Sequence, residues 1–254
     1  MDCGSGIDPV LIIDSSQVAH INLALKYSAA VRLKMASDIK LFNQDCLTAM
    51  EKMKDKQFDL AIVDPPYGIG KFTSDAHTDK KTGKRIKNIK SYSDNYKWNE
   101  SIPQEIYFQE VARVSERQII WGANYYNCFN NDGGALVWYK GPRTETISHC
   151  EIASLSFQKR VSYVRIDWQS GFYRVAQEGK QIHPCQKPAA LYRWLLKKYA
   201  KPGDTIFDTH LGSGSIAIAC YDMGFDLTGY EIEKEYFDAA VKRLENHKKQ
   251  ITFL

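Results

Sequence analysis

DTIFDTHLGSGSIAIACYDM, residues 204–223, is the stretch that decides the fold. Asp204 to Asp208 reads as a short strand, Gly212, Ser213, Gly214 and Ser215 as a turn, and Ile216 to Met223 as a helix. Glycines in such a turn let the backbone come close to a ligand, and the helix N-terminus offers unpaired N–H groups. Phe225 to Tyr230 then reads as a second strand ending at Glu231, about 20 residues past the first glycine, where an acid suits ribose hydroxyls. The unit is α/β in character and implies a nucleoside cofactor. Gly212, Gly214 and Ala217 also satisfy the dinucleotide fingerprint, so a nicotinamide-dependent oxidoreductase is a competing reading. Only the last sixth of the chain follows the glycine turn, too little for the remaining strands of such a domain. If the missing strands come from earlier in the sequence, the fold is circularly permuted.

Earlier in the chain, the apolar run Phe58 to Val63 reads as a strand that stops at Asp64, Pro65, Pro66 and Tyr67. Consecutive prolines fix φ and remove backbone donors, so the ladder ends there and the carbonyls are left to accept other hydrogen bonds. A carboxylate and a carbonyl converging on an NH₂ group, beside an aromatic ring, would hold a nucleobase by its edge and its face. DPPY resembles the catalytic motif of the amino-methyltransferases, which methylate the exocyclic nitrogen of adenine or cytosine. The order of motifs, catalytic elbow first and glycine turn last, resembles the beta class of that family.

Two further segments are similar to that class. His183, Pro184, Cys185, Gln186, Lys187 and Pro188 resemble its HPxQKP motif and precede an amphipathic helix from Ala189 to Tyr199. His183 and Cys185 lack a second pair at zinc-like spacing, so no metal is expected. Ile39 to Phe42 reads as a strand whose exit carries Asp45, which the resemblance places against the cofactor's adenine; Asp45 is equally suited to cap the helix from Cys46 to Met53. The resemblance thus implies S-adenosylmethionine as cofactor. It assigns Asp64, Pro65, Pro66 and Tyr67 to catalysis, and Asp45, Asp64, His183, Gln186, Lys187, Asp208, Gly212, Ser213, Gly214, Ser215 and Glu231 to the cofactor. The fold it implies is a Rossmann-like class I methyltransferase, with a mostly parallel seven-stranded sheet in circularly permuted order.

Composition fits a compact enzyme: 254 residues, 44% hydrophobic and 25% charged, can bury a sizeable core. The reading is one methyltransferase domain over 1–254, with an N-terminal helical extension (1–37, the helix from Ser16 to Met35), a basic loop (71–100) and a short insertion resembling a target-recognition segment (158–182). Six dispersed cysteines without C-x-x-C spacing read as reduced thiols, and none is an evident nucleophile. Methylation of cytosine at a ring carbon would need one; amino-methylation does not. With no long apolar run, the expected location is cytoplasmic, away from membranes.

From Lys71 to Lys97, eight basic residues face three aspartates, a local excess larger than the whole chain's net charge of +4. Tyr92, Tyr96 and Trp98 accompany them. Lys80, Lys81, Lys84, Arg85, Lys87 and Lys90 are therefore candidate phosphate contacts of a loop that also stacks on bases. Further on, Gln118 to Trp121 and Ala135 to Tyr139 read as strands, and alternation from Ile152 to Arg165 suggests two more joined near Gln158. Trp121, Tyr125 and Tyr126 belong to the core or pocket wall, whereas Lys140 and Glu151 carry no readable role. The expected reaction is methyl transfer to N6 of a flipped adenine in duplex DNA. N4-cytosine, RNA adenine and a non-catalytic nucleic-acid-binding subunit stand as alternatives, and a homodimer or a cognate restriction endonuclease as open partners.

Overall fold

The structure is a computed structural model that describes residues 37–70, 99–126, 133–142, 148–168, 178–179 and 181–251. The expected N-terminal helix and the basic residues Lys80 to Lys90 lie outside the described residues.

The described chain runs β1 (Ile39–Phe42), α1 (Cys46–Met50), β2 (Phe58–Val63), α2 (Glu105–Val114), β3 (Ser115–Trp121), β4 (Ala135–Tyr139), β5 (Cys150–Leu155), β6 (Val161–Arg165), α3 (Ala189–Tyr199), β7 (Thr205–Asp208), α4 (Ser215–Met223), β8 (Asp226–Tyr230) and α5 (Lys234–Ile251). All the strands join one sheet in the order β1-β8-β7-β2-β3-β5-β4-β6. The pairings are parallel except where β5 runs antiparallel between β3 and β4. β7, late in sequence, lies beside β2, so the order is permuted as the motifs imply.

β2 is nearly all apolar because a central parallel strand is covered on both faces. Leu60 and Ile62 point into one core cluster with residues of α3, α4 and α5. Ala61 and Val63 point into the other, with residues of α1 and α2. α2 buries Tyr107, Val111 and Val114, one stripe at helical spacing. α4 buries every residue from Ser215 to Cys220, because helices flank it as well as the sheet.

The sheet has eight strands, one more than the family resemblance implies. The additional strand is β6, which pairs parallel with β4 from Ala135↔Val161 to Tyr139↔Arg165. It buries only Val164 and leaves Val161 and Tyr163 exposed, so it is an edge strand set by its alternation. Because β1, β8, β7 and β2 are mutually parallel, their C-terminal ends share one sheet edge. Asp45, Glu231, the glycine turn and Asp64 therefore meet there, although they lie far apart in sequence.

Candidate active site

The elbow after β2 is held from three sides. Asn99, 2% exposed, accepts the Tyr67 N–H on Oδ1 at 3.1 Å and donates from Nδ2 to the Gly70 carbonyl at 2.9 Å. The Tyr126 hydroxyl lies 2.6 Å from the Pro65 oxygen and 3.1 Å from that of Pro66. The Pro65 carbonyl is thus not vacant, although a carbonyl has a second lone pair. The Tyr67 ring stacks on Tyr125 at 4.8 Å between centroids. A further neighbour is Gly122, at φ +76°, where an added Cβ would come within 2.3 Å of the ring. Only glycine fits there without displacing Tyr67.

Both oxygens of Asp64 are engaged. The Tyr67 hydroxyl donates to Oδ1 at 2.7 Å, and the Lys187 ammonium forms a short ion pair with Oδ2. Burial pushes the Asp64 carboxyl up from the ordinary carboxylate range, while Lys187 pulls it down. Burial likewise acts against ionisation of Glu151, but Lys187 and Lys140 hold that carboxyl down at about 2.

At the glycine turn, Glu231 Oε2 accepts the Gly212 N–H at 2.8 Å and Oε1 accepts the Glu233 N–H at 3.0 Å. A carboxylate has about four acceptor sites, so each oxygen retains capacity for a ligand hydroxyl. Gly214 caps α4 at φ +71° and lies close under α5, its would-be Cβ 3.1 Å from that of Ala240. Asp45 caps α1, accepting the Thr48 N–H at 2.8 Å. His183 stands edge-on to Tyr236 and accepts the Cys185 N–H on Nδ1 at 3.2 Å. Burial lowers its pKa to about 3, so the ring is neutral.

These groups line one cavity of about 340 Å³. Asp64, Pro65, Pro66 and Tyr67 line it, and Asp45, His183, Gln186, Lys187, Gly212, Ser213 and Glu231 also border it. The volume falls within the range of small-molecule sites. Three residues expected at the cofactor stand behind this lining. Asp208 is buried, receives the His210 N–H at 3.0 Å, and is pushed by burial up to about 8. Gly214 supports the turn, and Ser215 bonds Ser213 and Arg243. Gln186 lines the cavity but spends its side-chain oxygen on the Ile182 N–H at 3.1 Å. Lys187 turns its ammonium to the elbow.

Sequence reasoning missed Asn99, which follows the basic segment and carries no periodic signal. It also missed Ile232, Thr209 and His210 in the cavity lining. The hydroxyls of Tyr107 and Thr209 are 2.6 Å apart, and Thr209 Oγ1 lies 2.9 Å from His210 Nδ1. Among the described residues no group of three or more His, Cys, Asp or Glu side chains is placed to hold a metal ion.

Residues 139–242, which contain the HPCQKP segment, the glycine turn and Glu231, match the N6/N4 methyltransferase family model, described as DNA methylase. The C-terminal part of the chain is thus similar to this family. The chain is 21% identical to the Type II methyltransferase M.HpaI of Haemophilus parainfluenzae, over 82% of this chain and 75% of that protein. Its fold resembles the crystal structure of the M1.HpyAVI–SAM complex at TM-score 0.50 and 20% identity, covering 81% of this chain and all of that one. It also resembles the PvuII DNA methyltransferase, cytosine-N4-specific, at TM-score 0.52 and 12% identity, over 84% of this chain and 91% of the other. Among the described residues, no helix is long and apolar enough to cross a membrane.

Proposed function

We propose that this chain is a DNA methyltransferase that transfers the methyl group of S-adenosylmethionine to N6 of an adenine flipped out of duplex DNA. The observation that carries the reading is the shared cavity: the Asp64 elbow and the Glu231-held glycine turn border the same space. Its residues fit the cofactor, since Glu231 has acceptor capacity for ribose hydroxyls and the turn offers close backbone approach. Asp45 and His183 border the same cavity, and the family resemblance assigns them to the adenine ring and the methionine end. S-adenosylmethionine supplies an electrophilic methyl on sulfonium sulfur.

The chain's own part is positioning. Duplex stacking hides N6, so the base must leave the stack. Asp64 and the second lone pair of the Pro65 carbonyl then accept the two amino hydrogens, drawing the nitrogen lone pair out of conjugation, while Tyr67 offers a ring face. The nitrogen lone pair forms the N–C bond as the C–S bond breaks, and the methylated nitrogen loses a proton. Holding two reactants in line is worth about 7–11 kcal/mol, enough that no covalent intermediate on the protein is needed.

Adenine is preferred to cytosine because position 64 is Asp rather than Ser, a preference taken from the family resemblance. The likeness to a cytosine-N4-specific enzyme is one of fold and does not bear on the base. We assign the backbone contacts to the basic segment at Lys80 to Lys90 and part of target recognition to 158–182, within a single methyltransferase domain. The likeness to a Type II methyltransferase supports a cytoplasmic restriction-modification role, with a cognate endonuclease as partner. The test is transfer of labelled methyl from S-adenosylmethionine to duplex DNA, to RNA and to neither, with binding of NAD measured alongside. Transfer to DNA supports the reading; NAD binding without transfer favours the oxidoreductase.

A further inference from the structure

Four charged side chains cluster behind the elbow, two of which, Asp64 and Lys187, line the cavity. Asp64 follows β2, Lys140 follows β4, Glu151 lies on β5 opposite Trp138, and Lys187 precedes α3. Lys140 donates to Glu151 Oε1 at 2.9 Å, and Lys187 lies 3.1 Å from Glu151 Oε2 besides pairing with Asp64. Charges balance within the group. An ammonium has three hydrogens, and Lys187 has three oxygens around it: Asp64 Oδ2, Glu151 Oε2 and the Tyr67 hydroxyl at 3.2 Å. The ring faces of Tyr67 and Trp121, 5.6 and 5.4 Å from Nζ, fill the remaining directions.

This arrangement conflicts with the role proposed for Asp64. An incoming amino group needs an acceptor, yet Lys187 and Tyr67 hold both Asp64 oxygens. Glu151 resolves the conflict, because its Oε2 is within reach of both donors, 3.1 Å from Lys187 and 3.4 Å from the Tyr67 hydroxyl. We propose that Lys187 and Glu151 are positioning residues for methyl transfer: Lys187 keeps Asp64 ionised in the empty site, and Glu151 receives the ammonium when the target amino group takes Asp64 Oδ2. The inference rests on the reading of Asp64 as the amino-group acceptor.

Electrostatics favours the same division of labour. A buried carboxylate without a cation takes up a proton, and the resulting O–H donates where an acceptor is required. The other titratable groups near Asp64 stay neutral around pH 7. Burial raises Tyr67, Tyr107, Tyr192 and the Cys185 thiol, holds Asp208 at about 8, and keeps His183 uncharged. Lys187, Glu151 and, one step behind, Lys140 therefore set the charge felt by Asp64.

The test is single-turnover methyl transfer to duplex DNA from pH 5 to 9, with S-adenosylmethionine affinity measured by calorimetry on each variant. Lys187→Met should lower the rate at pH 7 by at least about 100-fold and move the acid limb upward by roughly one pH unit or more, with recovery toward alkaline pH. Lys187→Arg should keep the acid limb within about half a unit of the parent's, since it keeps the charge. Glu151→Gln should move the limb downward, because a negative charge beside Asp64 is gone, and lower the plateau roughly tenfold because the ammonium has lost its second acceptor. Cofactor affinity should stay within about threefold throughout, roughly 0.6 kcal/mol or less. Limbs that coincide with the parent's, or that move in the same direction in Lys187→Met and Glu151→Gln, overturn the inference while leaving the methyltransferase reading intact. A folded, cofactor-binding parent that transfers no methyl at any pH overturns both.

Discussion

Replacing Glu231 by Ala is the perturbation whose size follows most directly from the structure. Glu231 is 8% exposed and each carboxylate oxygen already holds a backbone N–H, at 2.8 Å from Gly212 and 3.0 Å from Glu233. The acceptor capacity left over is the proposed ribose contact. A hydrogen bond to a charged group is worth about 1.5–3 kcal/mol. At about 1.4 kcal/mol per factor of ten, its loss weakens S-adenosylmethionine binding roughly 10–150-fold. Two donors are also released in the turn, which adds to the loss rather than offsetting it. Glu231→Gln should recover little, because its amide NH₂ must face one of the same N–H groups, donor against donor. Isothermal titration calorimetry reads the effect, with unfolding in denaturant as a control on the native population. Parent affinity in a folded Glu231→Ala protein would refute the argument and remove Glu231 from the cofactor site.

Asp64→Ala should leave cofactor affinity largely intact and lower turnover by roughly 10²–10³ or more, through loss of a preorganised acceptor; equal single-turnover rates would contradict this. Gly122→Ala places a left-handed backbone on a residue with a Cβ, at about 1–2 kcal/mol, and drives that carbon into the Tyr67 ring. Both stability and methyl transfer should fall while cofactor binding persists, as denaturant melts and calorimetry would show. Burial holds Asp208 protonated up to about pH 8, whereas in the unfolded chain it ionises near its ordinary value of 3.8. The native state therefore keeps a proton that the unfolded state releases, and this contribution to stability is present below about pH 4 and lost as pH rises to about 8. Asp208→Asn should gain on the parent across that window, with a constant advantage above it, in unfolding titrations at successive pH values. Identical pH dependence in the two proteins would count against the burial argument.

Much of the architecture was legible because the signals are local. The run Phe58 to Val63 is apolar at every place where a doubly covered strand must be, and it ends at prolines that cannot continue a ladder. The glycine turn announces itself by residues that adopt φ of +52° and +71° at no steric cost. The late position of that turn gave the permuted order. The count of seven came from resemblance, whereas alternation up to Arg165 already contained β6. What could not be read was convergence across sequence distance. Glu151 and Lys140 carry no pattern of their own; the antiparallel register of β5 on β4 brings the two together, and Glu151 in turn meets Lys187. Asp45 shows the reverse case: its capping role was legible and is observed, with one oxygen on the Thr48 N–H, while the residue also lines the cavity. Asn99 was missed because a clamp made by a single amide has no sequence signature.

The central claim is that the Asp64 elbow presents an adenine amino group to a methyl donor held by the glycine turn. Its most direct measurement is digestion of duplex DNA to nucleosides after incubation with the protein and S-adenosylmethionine, with the methylated base identified by mass spectrometry for the parent and for Asp64→Ala. The account predicts N6-methyladenine from the parent and a trace or none from Asp64→Ala. N4-methylcytosine as the product, or equal N6-methyladenine from both proteins, would contradict it.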